Sequence, residues 1–214
     1  MPISSQNVHR NVAILSYKGE AMNSVTTKKQ SMREECLAAR KALTAHERSE
    51  LDGCITQTLL TTSEYEKAST VLTYVSVSSE VSTRQFITHA LSDGKTVAVP
   101  RCLPQHHLEF VAVTSLEQLL PAPFNLLEPP KELPALTEDT IEASICIVPA
   151  LLIDIKGYRL GYGAGFYDRF LSTYPGKKIC LAYHSNLSKE LLPHTEFDVP
   201  VDMVITESNI LTCA

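Results

Sequence analysis

The sequence predicts an α/β protein: three-layer α/β/α, with a mainly parallel sheet between helical layers. Three observations carry this. Runs of helical period alternate with short β-branched runs along most of the chain. The run at 145–149 is apolar throughout, as a central strand covered on both faces must be. With 44% hydrophobic residues, 214 positions suffice for one large core.

Residues 1–25 are polar and mixed, Arg10 and Lys18 being offset by Glu20. They are expected to form a poorly structured extension ahead of a single domain over 26–214. The internal Met22 agrees with such an extension, and a mitochondrial presequence is the alternative. Over 27–43, Met32, Cys36, Ala39 and Leu43 recur at helical intervals, so a first helix buries that stripe. Its other faces carry Lys28, Lys29, Arg33, Arg40 and Lys41, and Lys29 and Arg33, four apart, share one of them. On charge alone that face is a solvated one. Thr44-Ala45-His46-Glu47 has the form of a capping box and opens a second helix reaching about Leu60.

Residues 70–77, rich in β-branched and aromatic side chains, form a first strand that ends at Ser78-Ser79-Glu80. An acid just past a strand end suits a site, because open α/β sheets bind ligands beyond the carboxyl ends of their strands; a surface carboxylate before a helix is the plainer alternative. A helix over 83–92, closed by Gly94, leads to a strand at 96–100 ending in Arg101. Ligand contact and ordinary ion pair are both open for that arginine. Residues 107–113 alternate as a further strand, 121–134 form a proline-rich connection, and 178–182 and 203–206 supply two more strands. Asp202 precedes the last of these.

Four of the eight glycines, Gly157, Gly161, Gly163 and Gly165, fall in the stretch after the 145–149 strand. Glycines at alternate positions allow positive φ values and let bare N–H groups approach another molecule, forming an anion nest. Phe166, Phe170 and Tyr174 then recur at helical spacing, with Tyr167 and Leu171 on an adjoining stripe, so a helix starts near Gly165 and its first turn adds further donors. Asp154, of the type that binds magnesium, and Arg159, a fork for phosphate oxygens, lie just before. A Walker A loop does not fit, since His89 stands where Gly94-Lys95-Thr96 would need its first glycine, and a dinucleotide fingerprint would need glycine in place of Phe166. From these residues alone, a phosphate loop and an ordinary glycine-rich turn remain equally open.

A formal charge of −5 without a block of five like charges argues against a nucleic-acid surface or a polybasic membrane anchor. The six cysteines include no Cys-x-x-Cys pair, the seven histidines show no metal-ligand spacing, and no apolar run approaches transmembrane length. A reduced, cytoplasmic setting is expected.

The string Arg159-Leu160-Gly161-Tyr162-Gly163-Ala164-Gly165-Phe166-Tyr167-Asp168-Arg169, preceded by Val148-Pro149-Ala150 and Asp154, resembles the signature of the 5-formyltetrahydrofolate cyclo-ligases, also called methenyltetrahydrofolate synthetases. The likeness covers roughly residues 28–206. It implies the fold shared with sugar-phosphate isomerases and CoA transferases, and ATP-dependent closure of 5-formyltetrahydrofolate to 5,10-methenyltetrahydrofolate, with Mg²⁺ as cofactor and a monomer or weak homodimer as the working form. Residue by residue, it implies that Lys29, Arg33 and 159–167 hold ATP, that Val75, Glu80 and Tyr167 line the folate pocket, and that Tyr167 and Arg159 are catalytic. Mg²⁺ is expected near Asp154 and Asp202, although a turn acid accounts equally for Asp202. Relatives commonly set a tryptophan against the pterin; this chain has none, and Phe124 is the candidate in its place. Ala164 stands where some relatives carry a basic residue. Two rival readings are an isomerase or acyl-CoA transferase of the same fold class and a non-catalytic module that has kept the fold.

Overall fold

In the computed structural model, which describes residues 27–213, a seven-stranded sheet separates two layers. The expected extension over 1–25 lies outside the described residues. The chain begins with α1 (27–42), α2 (Ala45–Leu60) and α3 (Ser63–Lys67), then β1 (Thr70–Thr73), α4 (Arg84–Ser92), β2 (Thr96–Leu103) and β3 (His107–Val113). Two short strands, β4 (Leu120–Pro121) and β5 (Leu127–Glu128), pair within the proline-rich connection. There follow α5 (Glu138–Glu142), β6 (Ser144–Pro149), β7 (Leu152–Asp154), β8 (Arg159–Leu160), α6 (Phe166–Leu171), β9 (Lys177–Leu181), β10 (Leu187–Ser188), β11 (Met203–Ile205) and β12 (Ile210–Thr212).

The sheet order is β12-β11-β9-β6-β1-β2-β3. The five inner strands run parallel, while β12 and β3 close the edges antiparallel. Alternate residues of the central strands face opposite layers, as strand geometry requires. Val71, Ile145, Ile147 and Ile179 pack with Ile55 and Leu59 of α2 and Phe86 and Ile87 of α4. Leu72, Cys146, Val148 and Cys180 pack on the other face with Ile153 of β7 and Leu171 of α6. No helix among the described residues is long and apolar enough to cross a membrane.

Local signals hold where the contacts are local. The capping box forms as expected, the Thr44 N–H donating to Glu47 Oε2 at 2.7 Å and the Glu47 N–H to Thr44 Oγ1 at 3.2 Å. Gly94 takes φ +76 beyond α4. By contrast β1 ends at Thr73, well before the expected Val77. Its neighbours stop pairing there, and the segment beyond folds on itself, with Thr83 Oγ1 donating to Tyr74 O at 2.7 Å and the Tyr74 hydroxyl to Val81 O at 2.9 Å. Strand β2 runs past Arg101 because its antiparallel neighbour continues, which sets Arg101 opposite Glu109. Their 2.6 Å ion pair, with further bonds to the Pro130 and Leu133 carbonyls, makes Arg101 a structural residue.

The β7–β8 hairpin, which has no clear periodicity, carries the glycine loop. It pairs Leu152 with Leu160 and Ile153 with Arg159, and β10 joins it as a third strand. Helix α6 ends at Leu171, short of the expected run to Tyr174, whose hydroxyl instead bonds the Ser144 carbonyl at the start of β6.

Candidate functional site

The hairpin returns the chain to the carboxyl edge of the sheet at Gly161. Gly163 and Gly165 adopt φ +102 and +76, which confirms that the loop uses left-handed backbone where glycine is favoured. Helix α1 lies against it. Arg33 Nε donates to the Gly161 carbonyl at 2.8 Å, and its guanidinium sits 3.3 Å from where a Cβ on Gly163 would stand, so the arginine needs the bare backbone there. Leu160 is buried, Tyr162 and Ala164 are exposed, and the Phe166 ring meets His106 edge-on at 5.1 Å.

Lys29, one turn before Arg33, makes a bifurcated ion pair with both oxygens of Asp198, at 2.8 and 3.0 Å. Asp198 also accepts from the Thr195 N–H and hydroxyl. Burial favours the neutral acid, but these donors outweigh it and hold the Asp198 carboxyl below its ordinary range. Arg159 is placed differently from the expectation. Only 4% of its side chain is exposed, Nη1 donates to the Val199 carbonyl, and Nη2 pairs with Asp168 at 2.9 Å. Asp168 accepts in turn from the Val199 N–H. Arg159 and Asp168 thus fasten the loop to the 199 strap, and two of the Arg159 guanidinium nitrogens have protein partners.

On the other side of the loop, Glu80 and Phe124 line one cleft of about 790 Å³ together with Arg48, Asp52, Ser76, Val77 and Arg84. Phe124 is 89% exposed, so its ring is free to stack on a planar ligand. Val75 is not among the cleft's lining residues; it is buried and contributes to the core. Glu80 Oε2 accepts the Val77 N–H at 2.9 Å. Burial raises the Glu80 carboxyl above its usual range, while the Val77 donor and the Arg40 charge pull it back.

Tyr167 packs against both core clusters, and its hydroxyl is buried without a partner. Burial, then Cys146 and Glu80 nearby, push the phenol well above its usual value, so it stays protonated and available as a donor. Arg40 was legible only as one of five cations on α1. It is 1% exposed, with Nε on Asn186 Oδ1 at 3.2 Å and Nη2 on the Ala150 carbonyl. Its repeat on the helix with Cys36, which is also buried, was the available signal.

The two residues expected near magnesium do not fit it. Asp154 is completely buried; Oδ1 accepts the Lys156 and Tyr158 N–H groups and Oδ2 the Leu192 N–H, so its lone pairs hold the β7–β8 turn. Asp202 lies at the amino ends of the parallel strands, where it accepts the Lys178 N–H at 2.7 Å and pairs with Lys178 Nζ at 3.2 Å. The glycine loop is at the other end of the sheet. Among the described residues no group of three or more His, Cys, Asp and Glu is placed to hold a metal.

Comparison with known proteins agrees with this geometry. The model of the 5-formyltetrahydrofolate cyclo-ligase family matches residues 25–207. The 5-formyltetrahydrofolate cyclo-ligase of Haemophilus influenzae is 31% identical over 181 residues, covering 82% of this chain and 96% of that one. The Mus musculus protein of the same name is 28% identical over 198 residues, covering 86% and 96%. Among solved structures, the 5,10-methenyltetrahydrofolate synthetase of Aquifex aeolicus superposes with a TM-score of 0.74 at 27% identity, over 86% of this chain and 92% of that one.

Proposed function

The chain belongs to the 5-formyltetrahydrofolate cyclo-ligase family, and we propose that it converts 5-formyltetrahydrofolate and ATP to 5,10-methenyltetrahydrofolate, ADP and phosphate. A formamide oxygen is a poor leaving group. In this reading it first attacks the γ-phosphorus of ATP and displaces ADP, giving an imidate phosphate. The folate N10 then attacks the activated formyl carbon, and phosphate departs with the formyl oxygen, carrying away the N10 proton as hydrogen phosphate.

The observation that supports the reading is a glycine loop under Arg33 together with a cleft lined by Glu80 and Phe124, the Glu80 charge being felt at both Tyr162 of the loop and Tyr167 just after it. Phosphoryl transfer asks chiefly for positioning and charge neutralisation. Arg33 and the loop 161–165 would supply both, and Lys29 would exchange Asp198 for a phosphate. Glu80 would take the pterin N–H groups, Phe124 would stack on the ring, and the Tyr167 hydroxyl would donate to the formyl oxygen as charge develops there. Magnesium would enter on the nucleotide phosphates, in keeping with its preference for few protein carboxylates. The free thiols among the described residues suit a reducing compartment such as the cytoplasm.

The assay is the absorbance of the methenyl product with purified protein. Turnover is expected only with ATP and Mg²⁺ together; product that persists after rigorous removal of nucleotide would sink the mechanism.

The two halves of the site are also separable. Lys29→Met is expected to weaken ATP and Glu80→Gln the folate, each by about 1.5–3 kcal/mol, or roughly tenfold to a hundredfold. Calorimetric titration of each ligand checks this. Equal weakening of both ligands in both variants would show that the residues are not divided between the substrates as proposed.

A further inference from the structure

Of the seven arginines among the described residues, Arg33, Arg40, Arg101, Arg159 and Arg169 each spend guanidinium N–H groups on protein acceptors. The other two are Arg48 of α2 and Arg84, the first residue of α4. Among the described residues neither of their guanidinium groups makes a hydrogen bond or an ion pair, and both line the cleft of Glu80 and Phe124. The carboxylates of that cleft are engaged by other donors. Asp52 Oδ1 accepts the Ser82 N–H at 3.0 Å and the Tyr183 hydroxyl at 2.8 Å, and Glu80 accepts the Val77 N–H. The Arg48 charge is felt at Asp52 without a bond between them. Two free forks in one cleft suit the carboxylates of an anionic ligand.

Arg84 and Gln85 also line a second hollow, of about 460 Å³, together with Gln57, Thr88, His89 and Leu116. The two depressions therefore meet at the first turn of α4. Arg84, Gln85, Thr88 and His89 are spaced so that they share one side of that helix, one turn separating the two pairs. No carboxylate lines the second hollow, and its guanidinium, amides, hydroxyl and imidazole can all donate to an anion. On a chain of net charge −5, an acid-free hollow reached past a free guanidinium is a local attractor for negative charge.

We infer that the anionic tail of the substrate leaves the cleft past Arg48 and Arg84 and runs on into the second hollow, an assignment that rests on the folate reading above. 5-Formyltetrahydrofolate ends in a glutamate, and its two carboxylates are planar acceptors of the kind a guanidinium fork matches. Each residue added through the γ-carboxyl brings one more carboxylate and carries the end of the chain further along α4. The hollow is then a subsite for an oligo-γ-glutamyl tail, with Arg84 at its entrance. Because Arg84 is exposed, its pairing with a carboxylate is screened, and the tail adds graded affinity rather than an all-or-none requirement.

The test is calorimetric titration, without nucleotide so that nothing turns over, of three ligands: 5-formyltetrahydropteroate, which lacks the glutamate, 5-formyltetrahydrofolate and its γ-linked triglutamate. The proteins are the wild type, Arg84→Gln and Gln57→Glu, the last placing an acid in the hollow from an exposed position on α2. Ligands compared on one protein meet the same folded fraction, so their affinity ratios are insensitive to any loss of stability. In the wild type each step, to one glutamate and then to three, is expected to tighten binding about threefold to tenfold. Arg84→Gln should shrink both steps, whereas Gln57→Glu should shrink only the second. Equal affinity of the wild type for all three ligands overturns the inference, as does a triglutamate step that neither variant changes. If the wild type binds none of them, the ligand without glutamate included, it is the folate reading itself that fails.

Discussion

Tyr167→Phe is expected to lower kcat by about a hundredfold or more, with both ligand affinities little changed and the protein melting no lower than the wild type. The two halves of this result have one cause. The hydroxyl is buried without a partner, so in the free protein it costs the fold something of the order of 1–3 kcal/mol that phenylalanine would not. The ring, which packs against both faces of the core, is retained. What is lost is a neutral donor whose pKa is raised far enough that it cannot ionise at working pH. Placed at the formyl oxygen, it would bond most strongly as charge develops there, and an interaction confined to the transition state appears in kcat rather than in KM. Thermal melts beside steady-state kinetics check both halves. Unchanged kcat together with a lower melting temperature would reduce Tyr167 to a packing residue.

The largest loss of stability is expected at the hairpin tip. Gly157→Ala should destabilise the protein by about 3–4 kcal/mol, a large part of a typical total of about 5–15 kcal/mol. Gly157 sits at φ +82, and a Cβ there would stand 2.4 Å from the Val201 carbonyl oxygen. That neighbour is backbone and cannot turn aside. It is also tied to the same residue, because the Val201 N–H donates to the Gly157 carbonyl at 2.9 Å. Since the hairpin carries the glycine loop, activity should fall with stability. Gly53→Ala is the control: it lies within α2, and a Cβ would meet nothing within 4 Å. There alanine should stabilise by up to about 1 kcal/mol, through helix propensity and a less disordered unfolded chain. Urea unfolding of both variants reads the difference; equal stabilities would mean that the 199–201 strap yields more easily than its hydrogen bonds suggest.

Sequence alone determined the elements whose causes are local. The Thr44–Glu47 capping box, the β-branched runs that became β1 and β2, the glycine signature and the α/β alternation all depend on neighbours a few positions apart; the box forms as expected and both strands begin where expected, though their ends are set by their partners. The same string was sufficient to place the chain in its family. Tertiary structure decided the state of each charged group, because a side chain's charge, burial and free donors depend on what another part of the chain brings against it. Lys29 meets Asp198 169 positions away, and Arg40 meets Asn186 146 positions away. Asp154 and Asp202 read as accessible acids until three backbone N–H groups fill the first and a lysine at the far end of the sheet claims the second. Arg159 was visible as a cation beside the loop, but only the folded chain showed its fork shared between Asp168 of α6 and the Val199 carbonyl. For Arg40 the helical stripe gave position and nothing more; its buried, half-satisfied guanidinium exists only once α1 docks across the carboxyl edge of the sheet, where water is excluded and an unpaired donor becomes costly.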